Sequence, residues 1–147
     1  MPHVSDCPCQ LSIPSDLGML GVVRAFVEAV CQTGDLDRSI THAIVLATGE
    51  AVSNIIRHAH RECPNAQLRV GCRLMAEAME VVFVDEGQPF DLDNVPRLDP
   101  GELRVGGRGV FLMRALMDEV TCEQRQGGGN ILRMVKSIRP ETQAATA

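Results

Sequence analysis

Glu50 and Asn54 lie four residues apart in the stretch GEAVSNIIRHAH, residues 49 to 60. On a helix that spacing stacks one side chain above the other, so a carboxylate and an amide face one volume. An amide oxygen is a hard, neutral ligand suited to Mg²⁺, which keeps several waters and takes phosphate oxygens for the rest. A carboxylate nearby can orient or deprotonate a hydroxyl or a water. The same two residues also suit a helix flank with no chemistry to do. Asp85-Glu86-Gly87 follows the apolar run VVFV. A carboxylate leaving a buried strand needs donors, and the exocyclic amine of adenine is one. Gly87 would let the backbone approach a base with no side chain between, although an ordinary turn ends a strand with the same residue types.

Two glycine clusters complete the set. Gly106-Gly107-Arg108-Gly109 stands directly before an apolar helical pattern. Glycines let backbone amides face outward, the helix N-terminus attracts anions, and Arg108 can add a charge-assisted contact to phosphate. Gly127-Gly128-Gly129-Asn130 reads most simply as a hairpin turn, from which Asn130 could reach a bound base.

The elements that must carry these residues follow from periodicity. Residues 3–13 read as an extended strand whose start Pro8 delays or confines to an edge. A helix follows, opened by Ser15 or Asp16, with Leu20, Val23, Val27 and Val30 at helical spacing and Gly34 closing it. A second helix is expected from about Leu36 to about His60, its apolar arc covering roughly half the circumference. Glu50 and Asn54 fall at the border of that arc, where a pocket wall would stand. AQLRVGCRLM and AMEVVFVD read as a hairpin, residues 88–108 as a long lid, GVFLMRALMDEV as a helix, and VTCEQRQ with NILRMVKSI as a closing hairpin. The order β, α, α, β, β, lid, α, β, β predicts an α+β two-layer sandwich, a mixed, mostly antiparallel sheet with helices on one face. Residues 1–138 form one domain and 139–147 a frayed tail.

Composition narrows the function. The chain has 147 residues, 45% of them hydrophobic, a net charge of −5, and no Trp or Tyr. Neither a basic stripe for a phosphate backbone nor an aromatic platform for bases is present, so nucleic acid is not the expected partner. No signal peptide is evident and no apolar run approaches the ~20 residues of a membrane span, so a cytoplasmic protein is expected. The six cysteines, at 7, 9, 31, 63, 72 and 122, lack CxxC spacing. Cys7, Cys9, Cys63 and His60 could form a zinc set, but reduced thiols packed as small hydrophobes are the preferred reading. His58 falls on the apolar side of its helix, the methionines read as core, and no Ser-His-Asp triad is indicated.

Taken together, E-x3-N on a helix, D-x-G after an apolar strand, a long lid and a GxG opening a helix resemble the ATP site of the GHKL superfamily, the Bergerat fold. GEAVSNIIRHAH, VDEGQPFD and GGRGVFLMRALMDEV are similar to the wording of its anti-sigma-factor serine kinases, over residues 10–138. The resemblance implies Glu50 as general base, Asn54 as Mg²⁺ ligand, Asp85 with Gly87 at the adenine, and Gly107 and Gly109 at the phosphates, with Arg108 added. Asn130 departs from the family's usual Thr at that position. Asp91, Asp93 and Asp99 make the lid acidic and are expected to face out. The resemblance further implies ATP and Mg²⁺ as cofactors, a STAS-domain anti-anti-sigma factor as the phosphorylated partner, a competing sigma factor, and a homodimer. The first helix, with Arg24 and Glu28, offers a docking surface. Two alternatives stand beside it: a nucleotide-gated binding module without turnover, and the ATPase part of a histidine kinase.

Overall fold

The computed structural model describes residues 7–60, 65–89, 91–92 and 109–138. Strand β1 (Cys9–Pro14) leads through a 3₁₀ turn (Leu17–Met19) into α1 (Leu20–Thr33), and α2 (Arg38–Asn54) follows. Then come β2 (Gln67–Leu74), β3 (Ala78–Asp85), α3 (Gly109–Leu116), β4 (Glu119–Gln124) and β5 (Asn130–Ser137). The strands form one sheet in the order β1-β2-β3-β5-β4, with every neighbouring pair antiparallel. This is the α+β sandwich that the element order predicts.

Alternation along the strands decides the layers. Leu68, Val70 and Cys72 on β2, Met79, Val81 and Phe83 on β3, and Leu132 and Met134 on β5 share one core with the helices. The helices contribute Val23 and Val27 of α1, Ile44, Ala51 and Val52 of α2, and Met113 of α3. β3 is central, and every residue from Met79 to Asp85 is buried. On its outer face Val82 and Val84 cluster with Ile131 and Cys7. Glu80 on that face is 1% exposed and is held by Arg133 at 2.6 Å and Arg73 at 3.5 Å. A strand covered on both sides can deliver a buried carboxylate at its end, which is how Asp85 comes to be 2% exposed.

Several boundaries differ from the periodic reading. Asp16 caps the 3₁₀ turn, its Oδ1 accepting from the Gly18 N–H at 2.9 Å, so the α-helix starts later than expected. Gly34 ends α1, but the left-handed residue there is Asp35, with φ 53°. The α-helical part of α2 stops at Asn54 and widens into a π turn over Ile55–Ala59, closed by the His60 N–H on the Ile55 carbonyl. By length and composition alone, Arg38–Ala59 could cross a membrane, yet half of its apolar window is buried inside the fold, as in a core helix. The first strand begins at Cys9, with residues 1–6 outside the described residues.

Candidate active site

α2 packs against both α1 and α3, and that placement builds one end of the site. Glu50 is partly exposed and Asn54 is 2% exposed, with no hydrogen bond at its Nδ2. Gly109, the first residue of α3, meets them both: a Cβ there would stand 2.7 Å from Glu50 Oε2 and 3.1 Å from Asn54 Nδ2. A carboxylate, an unspent amide and a helix N-terminus therefore share one place. One turn of α1 leans on the same region. The Arg24 guanidinium lies where Gly49 lacks a side chain, with Nε and Nη2 each 2.7 Å from the Cβ position, while Glu28 is exposed on α1.

The second end forms where β3 stops. β3 and β5 pair Asp85 with Asn130 directly, and cross-strand partners on one face reach each other. Asp85 Oδ1 accepts from Asn130 Nδ2 at 3.0 Å and from the Gly87 N–H at 2.8 Å. Asn130 Nδ2 also donates to the Gln88 carbonyl at 2.9 Å, fixing the loop after the strand. Asp85 Oδ2 is buried and has no hydrogen-bond partner. The carboxylate is thus anchored by one oxygen and presents the other.

Two glycines let backbones close around that carboxylate. A Cβ on Gly87 would collide with the Ala59 carbonyl oxygen and stand 2.6 Å from His60 Cδ2, and the Gln88 N–H bonds the same carbonyl at 2.8 Å. Gly129, at φ 100°, packs its α-carbon against the Asp85 carbonyl, whereas Gly127 and Gly128 face open space. The glycine run is a turn, as its sequence says, and its last member also seats Asp85.

Periodicity gave no hint of His60 in this site. Its Nδ1 lies 2.7 Å from Ser15 Oγ and its Nε2 3.7 Å from Asp85 Oδ1. Burial lowers its pKa, with the Asp85 charge acting in the opposite direction. A regular helix would carry a residue six positions past Asn54 about 120° away from it, and the π turn breaks that count. The serine, histidine and aspartate that sequence did not join do lie in line. Asp85 Oδ1 already accepts two shorter bonds, so the line does not have the geometry of a nucleophilic triad.

Gly107 and Arg108, offered for the phosphates, lie outside the described residues, as do Asp93, Asp99 and most of the lid. Asp91 is described and exposed. Among the described residues no group of three or more His, Cys, Asp or Glu could hold a metal ion. Cys63 of the zinc alternative is not among them, and Cys7 packs with Val82, Val84 and Ile131. Burial pushes the Cys31 thiol up to about 11 and Cys122 up to about 12, and raises Cys72 as well. These thiols stay protonated at neutral pH and pack as hydrophobes.

Known proteins share this architecture. A model of the histidine kinase-like ATPase domain matches residues 13–136. The serine-protein kinase RsbW of Bacillus subtilis is 26% identical over 126 residues, 80% of this chain and 79% of that protein. RsbW of Halalkalibacterium halodurans is 28% identical over 138 residues, 88% of this chain and 83% of its own. Among solved structures, the RsbU and RsbW domains of a Mycobacterium tuberculosis protein superpose with a TM-score of 0.60 at 18% identity. That match covers 89% of this chain but 33% of the mycobacterial one. A blue-light activated histidine kinase of Erythrobacter litoralis superposes with a TM-score of 0.59 at 19% identity, over 89% of this chain and 44% of its own. With a match across most of its length and the fold to go with it, this chain belongs to the histidine kinase-like ATPase domain family.

Proposed function

We propose that this chain is an ATP-dependent serine kinase and anti-sigma factor that phosphorylates a STAS-domain anti-anti-sigma protein in a partner-switching circuit. The observation that carries the nucleotide assignment is the half-spent carboxylate of Asp85, anchored through Oδ1 with Oδ2 buried and unbonded. A buried acceptor calls for a donor, and the exocyclic amine of adenine supplies one where a 6-oxo purine does not. Gly87 and Asn130 complete the base end. The kinase assignment draws on the RsbW relatives, which are named serine-protein kinases.

At the other end the residues present fit Mg²⁺. Asn54 is 2% exposed beside Glu50 and Gly109, and its amide oxygen is a hard, neutral donor of the kind the ion takes. Asn54 would hold the ion together with phosphate oxygens, and the ion would supply charge neutralisation on the phosphates. Gly107, Arg108 and Gly109 are assigned to the phosphates, Gly109 opening α3 beside Glu50. Glu50 takes the proton of the partner's serine hydroxyl as the serine Oγ–phosphorus bond forms. The bond from the γ-phosphorus to the β–γ bridging oxygen breaks, and ADP leaves with that electron pair. The protein's share is positioning and charge compensation, since phosphoryl transfer asks for little covalent chemistry.

In this reading residues 1–138 act as one cytoplasmic ATP-binding domain followed by a short tail. A sigma factor competes with the phosphorylatable partner, and the kinase works as a homodimer. The experiment is a comparison of wild type with Glu50→Ala, using ³²P transfer to a STAS-domain partner and calorimetry with ADP. Transfer onto serine falls by about 10²–10⁴, the usual share of a general base, while ADP affinity holds. Equal inertness of both proteins with a competent partner would leave a nucleotide-gated binding module in place of a kinase. Acid-labile phosphohistidine on the partner would point to the histidine kinase alternative.

A further inference from the structure

His60 takes no part in that mechanism, yet it is 5% exposed and wedged between three elements. Ser15 comes from the junction of β1 and α1, where its N–H bonds the Ala66 carbonyl at 2.9 Å. His60 itself follows the π turn, and Asp85 ends β3. Asp85 Oδ1 consequently faces three groups: the Gly87 N–H at 2.8 Å, Asn130 Nδ2 at 3.0 Å and His60 Nε2 at 3.7 Å. Oδ2 has no hydrogen-bond partner, and neither has His60 Nε2.

The two neutral tautomers of the ring are not equivalent here. With the proton on Nε2, Ser15 donates its hydroxyl to Nδ1 and an N–H faces the carboxylate. With the proton on Nδ1, an imidazole lone pair would be buried against a carboxylate oxygen, two acceptors with no proton between them. Burial favours the uncharged ring. The ring orientation is held from both sides, by the Ser15 hydroxyl and by the close packing of Gly87 on Cδ2. A π turn inside a helix is frequently found at functional positions, and this one is what swings residue 60 under Gly87.

We propose that His60, pinned by Ser15, is a positioning residue for base recognition: its Nε2–H keeps Asp85 Oδ1 turned inward, so that Oδ2 is the oxygen offered to the nucleotide's exocyclic amine. This rests on the reading of Asp85 as the base-recognising carboxylate. It adds what holds that carboxylate in one rotamer. Without His60, two hydrogen bonds still reach the carboxylate, but the side of Oδ1 facing residue 60 opens and the two oxygens exchange roles more readily.

The test is calorimetry on the full chain with ADP and with IDP, which differs from it at the six-position, where an oxygen replaces the amine. Wild type, His60→Ala, His60→Gln and Ser15→Ala are compared by the ratio of the two affinities. Wild type prefers ADP. His60→Ala lowers the ratio by about tenfold, the loss expected when the bond from the nucleotide's amine to a buried carboxylate is weakened, with IDP affinity unchanged. His60→Gln, which keeps an N–H donor on a side chain of similar reach, restores most of the ratio, and Ser15→Ala falls between. A purely structural histidine would weaken ADP and IDP together, and an unchanged ratio in His60→Ala overturns the proposal. Should His60→Ala fail to fold, Ser15→Ala decides on the same criterion. Nitrogen-15 spectra of wild type at neutral pH add an independent readout: the Nε2–H tautomer is expected, and the Nδ1–H tautomer overturns the role. Absence of any ADP preference in wild type would instead sink the base-site reading itself.

Discussion

Asp85→Asn removes a charge, keeps the volume, and exposes the logic of the base end. Aspartate offers two acceptors, whereas asparagine offers one acceptor and one donor. If the amide oxygen takes the place of Oδ1, it still accepts from the Gly87 N–H at 2.8 Å and from Asn130 Nδ2 at 3.0 Å. The NH₂ then occupies the Oδ2 position and meets the nucleotide's amine, donor against donor. In the flipped orientation the NH₂ faces two protein donors instead. One conflict is unavoidable, and the first orientation leaves the protein itself intact. A buried hydrogen bond left unmade costs about 1–3 kcal/mol, and the charge-assisted bond it replaces is roughly twice as strong as a neutral one. A loss of about 2–3 kcal/mol for ADP corresponds to about 30- to 150-fold in affinity at about 1.4 kcal/mol per tenfold. The NH₂ can donate to the oxygen of IDP, so IDP affinity is expected to rise while the melting temperature of the ligand-free protein barely moves. Calorimetric titration of both nucleotides into wild type and Asp85→Asn measures this. An Asp85→Asn protein that holds its ADP affinity, or loses ADP and IDP alike, would refute the anchored-carboxylate argument.

Two glycines make further predictions. In Gly109→Ala the methyl would stand 2.7 Å from Glu50 Oε2 and 3.1 Å from Asn54 Nδ2. The carboxylate tip is flexible and moves aside, so the melting temperature is kept while transfer to serine falls by about tenfold or more, since a displacement near 1 Å can cost that much. Single-turnover transfer with a partner protein measures it, and full activity would mean Glu50 is not the base. In Gly87→Ala the obstacle is the Ala59 carbonyl, which is backbone and cannot yield cheaply. Overpacking of about 1–3 kcal/mol lowers the melting temperature by several degrees in thermal unfolding, and an unshifted midpoint would show that the loop can slide.

Legibility in the sequence followed the range of the interaction. Glu50 and Asn54 stand at the edge of an apolar arc with a 3.6-residue period, and the structure leaves Glu50 partly exposed but buries Asn54 to 2% exposure. The unbroken apolar run VVFV likewise placed Asp85 at the end of a buried strand. What periodicity could not supply was which strand lies beside β3. Hairpins name β2 as one neighbour, but the other is β5, a non-consecutive strand, and only that pairing sets Asn130 against Asp85. The donation from Asn130 Nδ2 therefore reads from sequence as nothing more than an asparagine after three glycines. His60 was hidden by a different mechanism. A single π turn changes the rotation per residue for five positions and leaves no compositional mark, so a regular helical projection cannot place this side chain. Its partner Ser15 is 45 residues away in the chain, and sequence offers Ser15 and Asp16 equally as helix caps, of which Asp16 does the capping.

The two ends of the site differ in what carries them, and that difference orders the predictions. The proposed base end sits on β3, β5 and the continuous helical unit that runs from Glu50 to His60, all bound to the central sheet and its core. Groups on such elements hold their geometry better than groups on loops. Glu50 and Asn54 belong to the same rigid unit, but Gly109 belongs to α3, which reaches them only by packing across α2. A change in how α3 docks therefore alters the surroundings of Glu50 without touching Asp85. ADP recognition and phosphoryl transfer should then separate experimentally: Gly109→Ala slows transfer with ADP selectivity intact, and Asp85→Asn shifts selectivity without disturbing the surroundings of Glu50. Mutants in which both properties always fell together would mean that the two ends are coupled through α2 as one unit, and that the π turn between Asn54 and His60 transmits the change.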